Sequence, residues 1–237
     1  MALTCTRRRA VGALLLAASG LAAGNPADPA DPGDLPALAA QFRVTFTRPG
    51  QAARQQTWQL TRSGTLITWL KGPGTEELWR RDRSGIRLER VMRADRHVID
   101  YSAGELRALE VAIDWATLAT LFPAAQLGRL TARPAPPPAG RPQHWAGRIG
   151  AEQVDLWWDP VAQLPLRLAR SGAQGRVLFE RTAQRPQAPA HWPQAGAGTD
   201  DFQRLDAADF GDMAYNPVVR KAQALDERAG WRRAHAD

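Results

Sequence analysis

Between residues 152 and 181, apolar and polar positions alternate through three short runs separated by two turn signals, Asp159-Pro160 and Ser171-Gly172. Val154, Leu156 and Trp158 interleave with Gln153, Asp155 and Trp157; Leu166 and Leu168 flank Arg167; Val177 and Phe179 stand against Leu178 and Glu180. A period of two belongs to a strand with two distinct faces, and such strands joined by tight turns predict an antiparallel meander. Trp157 then points away from Trp158. The same alternation recurs upstream. Phe42, Val44 and Phe46 predict a first strand closed by Pro49-Gly50, while Trp58 with Leu60, and Ile67 with Trp69, mark two more. Residues 77–81, 86–91 and 97–101 predict further strands into which charge intrudes, and 144–149 leads into the meander. Seven or more short strands at this spacing indicate a sandwich or barrel-like sheet.

Helical spacing interrupts the strands once in this region. Trp115, Leu118, Ala119 and Phe122 share a face at intervals of three and four, Asp114 can cap the start, and Pro123 ends or kinks the helix. The preceding residues 105–112 are read as a strand, with 101–105 as its hairpin turn. Residues 132–142 carry five prolines in eleven positions, a loop that no sheet interior absorbs.

The flanks divide the chain further. Residues 1–24 have a basic start at Arg7-Arg8-Arg9, an apolar run from Ala10 to Ala18, and small residues up to Gly24, the pattern of a cleaved export signal. Thr6-Arg7-Arg8-Arg9 is also similar to a twin-arginine signal, although Ala10 and Val11 follow it. The apolar run is too short to span a membrane, and no later run is long enough. Residues 25–36, rich in Pro and Asp, read as a spacer, and 37–184 as the sheet domain. Residues 185–198 read as a linker, and 199–237 as a tail with one helix from Asn216-Pro217 to Gly230. Val218, Val219, Ala222 and Leu225 form an apolar stripe that packs either on the sheet or on a partner.

Charge and composition narrow the functions. The formal net charge of +7 includes the three leader arginines; without them 28 basic residues face 24 acidic ones. Arginines are spread among acids, a solvated surface rather than a nucleic-acid footprint. Cys5 is the only cysteine, so a chain shorn of its leader has no disulfide, thiolate ligand or thiol nucleophile. His97, His144, His191 and His235 are scattered without ligand spacing, and Asp206, Asp209 and Asp212 read as capping or solvated carboxylates; no metal site is expected. Gly72-Pro73-Gly74 lacks the Lys-Ser/Thr of a phosphate loop, and Ser63, Ser84, Ser102 and Ser171 lie in turns, none in a nucleophile elbow. The expectation is a protein without cofactor that is not an enzyme. Nine tryptophans against two tyrosines are the unusual feature. On strand faces they either fill a core or line a cavity for an apolar ligand.

The segment LWWDPVAQLPLRLARSGAQGRVLFER resembles the LolA-like superfamily of periplasmic lipoprotein carriers and the related domain of the RseB regulators. In that family a strand ending in Asp leads through a turn to Leu-Pro-Leu-Arg, followed by a Gly turn; here these are Asp159, Leu164, Pro165, Leu166, Arg167 and Gly175. The resemblance implies a mainly β, α+β fold: an open, curved antiparallel sheet or half-barrel with a short helical lid and a C-terminal helical tail. It implies a periplasmic protein that takes a lipid or acyl ligand on the concave face. Trp58, Leu60, Ile67, Trp69, Leu156 and Trp158 would line that face, and Trp115, Leu118 and Phe122 would form the lid. The carriers' lid-locking arginine has no evident counterpart in the sequence. The alternative is a non-catalytic interaction or sensor module whose tail docks a periplasmic protein.

Overall fold

The alternation along the chain resolves into one sheet. In chain order its strands are β1 (Leu38–Thr47), β2 (Arg54–Ser63), β3 (Leu66–Lys71), β4 (Thr75–Asp82), β5 (Gly85–Met92) and β6 (His97–Tyr101). Two short helices follow, α1 (Ala103–Ala108) and α2 (Trp115–Thr120), then β7 (Thr131–Arg133), β8 (Gln143–Ile149), β9 (Glu152–Asp159), β10 (Leu164–Gly172) and β11 (Gly175–Arg185). β12 (Gln203–Asp206) and α3 (Pro217–Arg228) come after them. This is a computed structural model, and it describes residues 35–72, 74–109, 113–134, 142–229 and 231. The expected leader, nearly all of the spacer and most of the proline-rich insertion lie outside the described residues.

In space the strands run β12-β6-β5-β4-β3-β2-β1-β11-β10-β9-β8-β7, so the sheet is open and its two ends do not pair. Every pairing is antiparallel except β12 against β6. The hairpin between β10 and β11 needs Gly175, which has φ +118 and whose missing Cβ would sit 2.1 Å from the Thr47 carbonyl oxygen. No larger residue fits there.

Three differences from the sequence reading have physical causes. Residues 103–108 are helix α1, not strand, because Ser102 and Glu105 form a reciprocal capping box: Glu105 N–H donates to Ser102 Oγ, and Ser102 N–H to the Glu105 carboxylate. In β10 the register slips between Pro165 and Arg167, so Leu164 and Leu168 are buried while Leu166 is only half-buried. Proline has no N–H for the ladder, and a bulge absorbs the loss. Finally, the described residues of the tail, 199–229 and 231, do not stand apart from the sheet. They supply its edge strand β12 and helix α3, whose Val218, Val219 and Ala222 are buried in the main core. Asn216 caps α3 by accepting from Val218 N–H at 2.8 Å.

The apolar residues form one large cluster under β1–β6 with α2 and α3, and a smaller one under β8–β10 built on Phe122, Leu130, Leu156, Trp158 and Leu168. Phe179 packs against both. On the opposite face, residues 195–202 cover Leu78, Val91 and Val98. That cover explains why β4 is buried on both faces: on the covered side Glu76 pairs with Arg93, while on the inner side Glu77 pairs with Lys71.

Candidate functional site

One face of β2 presents Trp58, Leu60 and Arg62 in sequence, opposite Lys71, Trp69 and Ile67 of β3. β4 continues the same face with Glu77 and Trp79. α2 lies over this surface. Asp114 starts the helix by accepting from the N–H groups of Ala116 and Thr117 at 3.0 and 3.2 Å, and Leu121 ends it in the left-handed conformation at φ 64. Trp69 Nε1 donates to the Leu118 carbonyl at 3.0 Å, which ties the helix to the strand below.

Between α2 and the sheet a cleft of about 270 Å³ remains, lined by Trp58, Trp69, Trp79 and Trp231 together with Ile113, Leu118 and Leu121. Lys71, Asp114 and Thr117 supply its polar atoms. The rings are held edge-on to one another: Trp58 and Trp69 centroids are 6.1 Å apart, Trp79 and Trp231 5.6 Å. Lys71 Nζ lies 5.6 Å from the Trp58 ring and donates to Glu77 at 2.7 Å. A concave, aromatic-walled cleft with few polar groups is a setting for an apolar ligand.

Charges are buried beside this cleft. Arg90 pairs with Asp226 of α3 at 2.6 Å, both side chains at most 2% exposed, and the guanidinium stacks 4.9 Å from the Trp231 ring. Burial alone would raise the Glu77 carboxyl. The charges of Lys71 and Arg90, with hydrogen bonds from Lys71 and Trp79, hold it below its ordinary 4.5. Arg62 has a different environment. It is 3% exposed and meets no carboxylate within ion-pair distance among the described residues. It donates instead to backbone oxygens: Pro36 at 2.9 Å, Ala119 at 2.8 Å, Gln163 at 3.2 Å, and Ala162. Burial, with the nearby charge of Arg181, brings it down from 12.5 to about 10. Ala119 belongs to α2, so this arginine clamps the helix to the sheet and to the β9–β10 turn. No motif marks it in the sequence; the one signal is its place two residues beyond Leu60 on an inward face.

The structure divides the sequence-derived candidates. Trp58, Trp69 and Leu118 meet at the cleft. Leu60, Ile67 and Trp115 are buried in the same cluster but do not line it. Leu156, Trp158 and Phe122 sit together in the smaller cluster. Trp79, Trp231, Ile113 and Leu121 join the cleft without having been singled out. Trp157 does face away from Trp158, stacked on His144 at 4.4 Å. Asp206 caps a short turn through Ala208 N–H, and among the described residues no group of three or more His, Cys, Asp or Glu side chains is placed to hold a metal.

An open, curved antiparallel sheet with a helix across its concave face defines the class. Solved structures similar to the chain include a LolA superfamily protein from Nitrosomonas europaea (10% identity, TM-score 0.35), with 66% of this chain and 88% of that one covered. The Pseudomonas aeruginosa MucA/MucB complex is similar at 18% identity and TM-score 0.34, covering 65% of this chain and 53% of the other. An outer membrane lipoprotein-sorting protein domain from Vibrio parahaemolyticus gives 11% identity and TM-score 0.32, over 75% and 90%. The chain thus spans about half the length of the MucA/MucB chain it matches. The sequence matches no family model and no curated protein. Among the described residues no helix is long and apolar enough to cross a membrane.

Proposed function

We propose that this chain is an exported periplasmic binding protein, carrier-like in design, that takes the acyl part of a lipid into the cleft between α2 and the concave face of the sheet. The observation that supports it is the cleft itself, about 270 Å³ walled by four tryptophans and closed by a helix of only six residues. α2 acts as the lid. Its attachment to the sheet includes two polar bonds, from Trp69 to Leu118 and from Arg62 to Ala119, besides the packing of Trp115 and Ala119. Each methylene transferred from water into the cleft contributes about 0.8 kcal/mol.

Protein purified from a periplasm is analysed by native mass spectrometry and by solvent extraction, and the emptied protein is titrated with a fluorescent fatty-acyl probe. A co-purifying acyl compound, or saturable probe uptake that Trp58→Asp abolishes while the melting transition is kept, is expected. A clean mass together with no uptake of the probe defeats the proposal. Docking of a partner through the tail has less support, because the apolar stripe of α3 is spent on the core. A partner would meet the helix's polar face and Tyr215, which is 94% exposed.

A further inference from the structure

Two arginines converge on the turn between β9 and β10. Arg62 donates to the carbonyl oxygens of Ala162 and Gln163, and Arg181 Nη2 donates to Asp159 Oδ2 at 2.7 Å. The other oxygen of Asp159 already accepts from the N–H groups of Val161 and Ala162, both at 3.0 Å. One carboxylate therefore serves the turn and one guanidinium, and among the described residues no carboxylate lies within ion-pair distance of the other. Arg181 is itself incompletely used: its side chain is 6% exposed, and Nη1 has no hydrogen-bond partner among the described residues. A buried, charged donor left unmade is among the costlier features a fold can carry. If the arginines served only to pin the turn, a neutral donor in place of the second would do so without that cost.

The pair also lies in line with the cleft. Trp58, Leu60 and Arg62 succeed one another on one face of β2, and at about 3.3 Å per residue the Arg62 backbone is about 13 Å beyond that of Trp58. Arg181 stands opposite Phe42, which in turn stands opposite Trp58. α2 roofs this strip: its Leu118 lines the cleft and its Ala119 carbonyl holds Arg62. Lifting α2 would free an Arg62 N–H at the turn that Arg181 also reaches, beyond the buried apolar positions Phe42 and Leu60.

Resting on the apolar-ligand reading above, we propose that the ligand is an anionic amphiphile, with its chain in the aromatic cleft and its carboxylate or phosphate group received by Arg181 and, once α2 moves, by Arg62. Charge-assisted bonds to a guanidinium are the strong class of hydrogen bond, and a planar fork suits an oxyanion. The same contact removes the surplus buried charge.

The test uses the full chain, emptied of lipid, titrated at low salt with oleate, oleyl alcohol, dodecyl phosphate and acetate. Oleate or dodecyl phosphate is expected to bind at least about ten-fold tighter than the neutral alcohol. Whichever anion is tighter names the headgroup. Arg181→Gln is expected to erase that preference while keeping the alcohol's affinity. Should that variant fail to fold, Arg181→Lys retains a cation for Asp159 but has no second fork, and is expected to narrow the preference. Equal affinity for oleate and oleyl alcohol, or a preference that survives loss of Arg181, overturns the headgroup inference and leaves the apolar cleft standing. Acetate binding as tightly as oleate overturns the amphiphile as well. Binding of no chain-bearing probe defeats both proposals.

Discussion

The two arms of the sheet use the same alternating strands but fill their concave faces differently. Under β8–β10 the filling is apolar and closed: Phe122 and Leu130 fit against Leu156, Trp158 and Leu168. Under β2–β6 the same inward register carries Arg62, Lys71, Glu77 and Arg90, and two helices cover it while leaving a cleft. α2 and the residues just after it serve both arms, since Trp115 packs in the large cluster and Phe122 in the small one. An arm packed only with hydrocarbon has nothing to recognise a polar group and no reason to open. An arm in which a buried arginine, Arg62, is held by backbone carbonyls, one of them on α2, can exchange that bond for another. On the proposed reading, the difference separates the part of the sheet that is scaffold from the part that binds.

The largest expected effect comes from cutting α3 away from the charged arm. Asp226→Ala strands Arg90 in the core, and urea unfolding is expected to show a loss of about 3–5 kcal/mol. Replacing both partners, Arg90→Met with Asp226→Leu, should recover most of it. A single-variant loss below about 1 kcal/mol would mean that the pair is solvated and the contrast between the arms is wrong. In the apolar arm, Leu156→Ala is expected to cost about 2–5 kcal/mol by leaving a cavity. Its affinity for an acyl probe should match the parent's at a temperature where both are folded. A large change in affinity would move the site toward β9.

Acid should discriminate between the arms as well. The Glu77 carboxyl lies below its ordinary 4.5 in the folded protein, so the folded state binds fewer protons than the unfolded one at and below that pH. Its contribution is complete above 4.5 and drains as pH falls through the folded value. Glu77→Gln should therefore flatten the acid limb of the melting-temperature profile. An unchanged limb would remove Glu77 from the network. On the outer face of the apolar arm, Trp157→Ser gives up the His144 stack for about 1 kcal/mol and leaves probe binding untouched. Val161→Ser, at a position 75% exposed, should stay within about 0.5 kcal/mol in melts.

Much of the fold was legible because strands and caps are local. Val154, Leu156 and Trp158 are buried as their alternation requires, and Asp114 and Asn216 cap α2 and α3. α1 was legible too, in the Ser102 to Glu105 spacing, but a turn reading of Ser-Ala-Gly obscured it. At the cleft, Trp58, Trp69 and Leu118 could be found from face and period. Trp79 was harder, since its strand carries Glu76, Glu77, Arg80 and Arg81 and looks exposed; Glu76 is buried because Arg93 and the 195–202 segment cover it, and Glu77 because it pairs with Lys71 on the inner face. Arg62 has no local signal: a charge at an inward position reads as a defect unless its partners are visible, and here they lie up to 101 residues away.

What the sequence determined by itself is the alternation that makes strands, the turns that join them, and the side chains offered to each face, all set within a few residues by sterics and capping. Tertiary structure alone decided that β12 and α3 join the sheet domain, that Trp231 meets Trp79, and that Arg62, Arg181 and Asp159 share one turn. These are agreements between segments far apart in the chain. They exist only because burying the inner face of an open sheet requires a cover, and the chain draws that cover from α2 and α3, with partners no local rule can name.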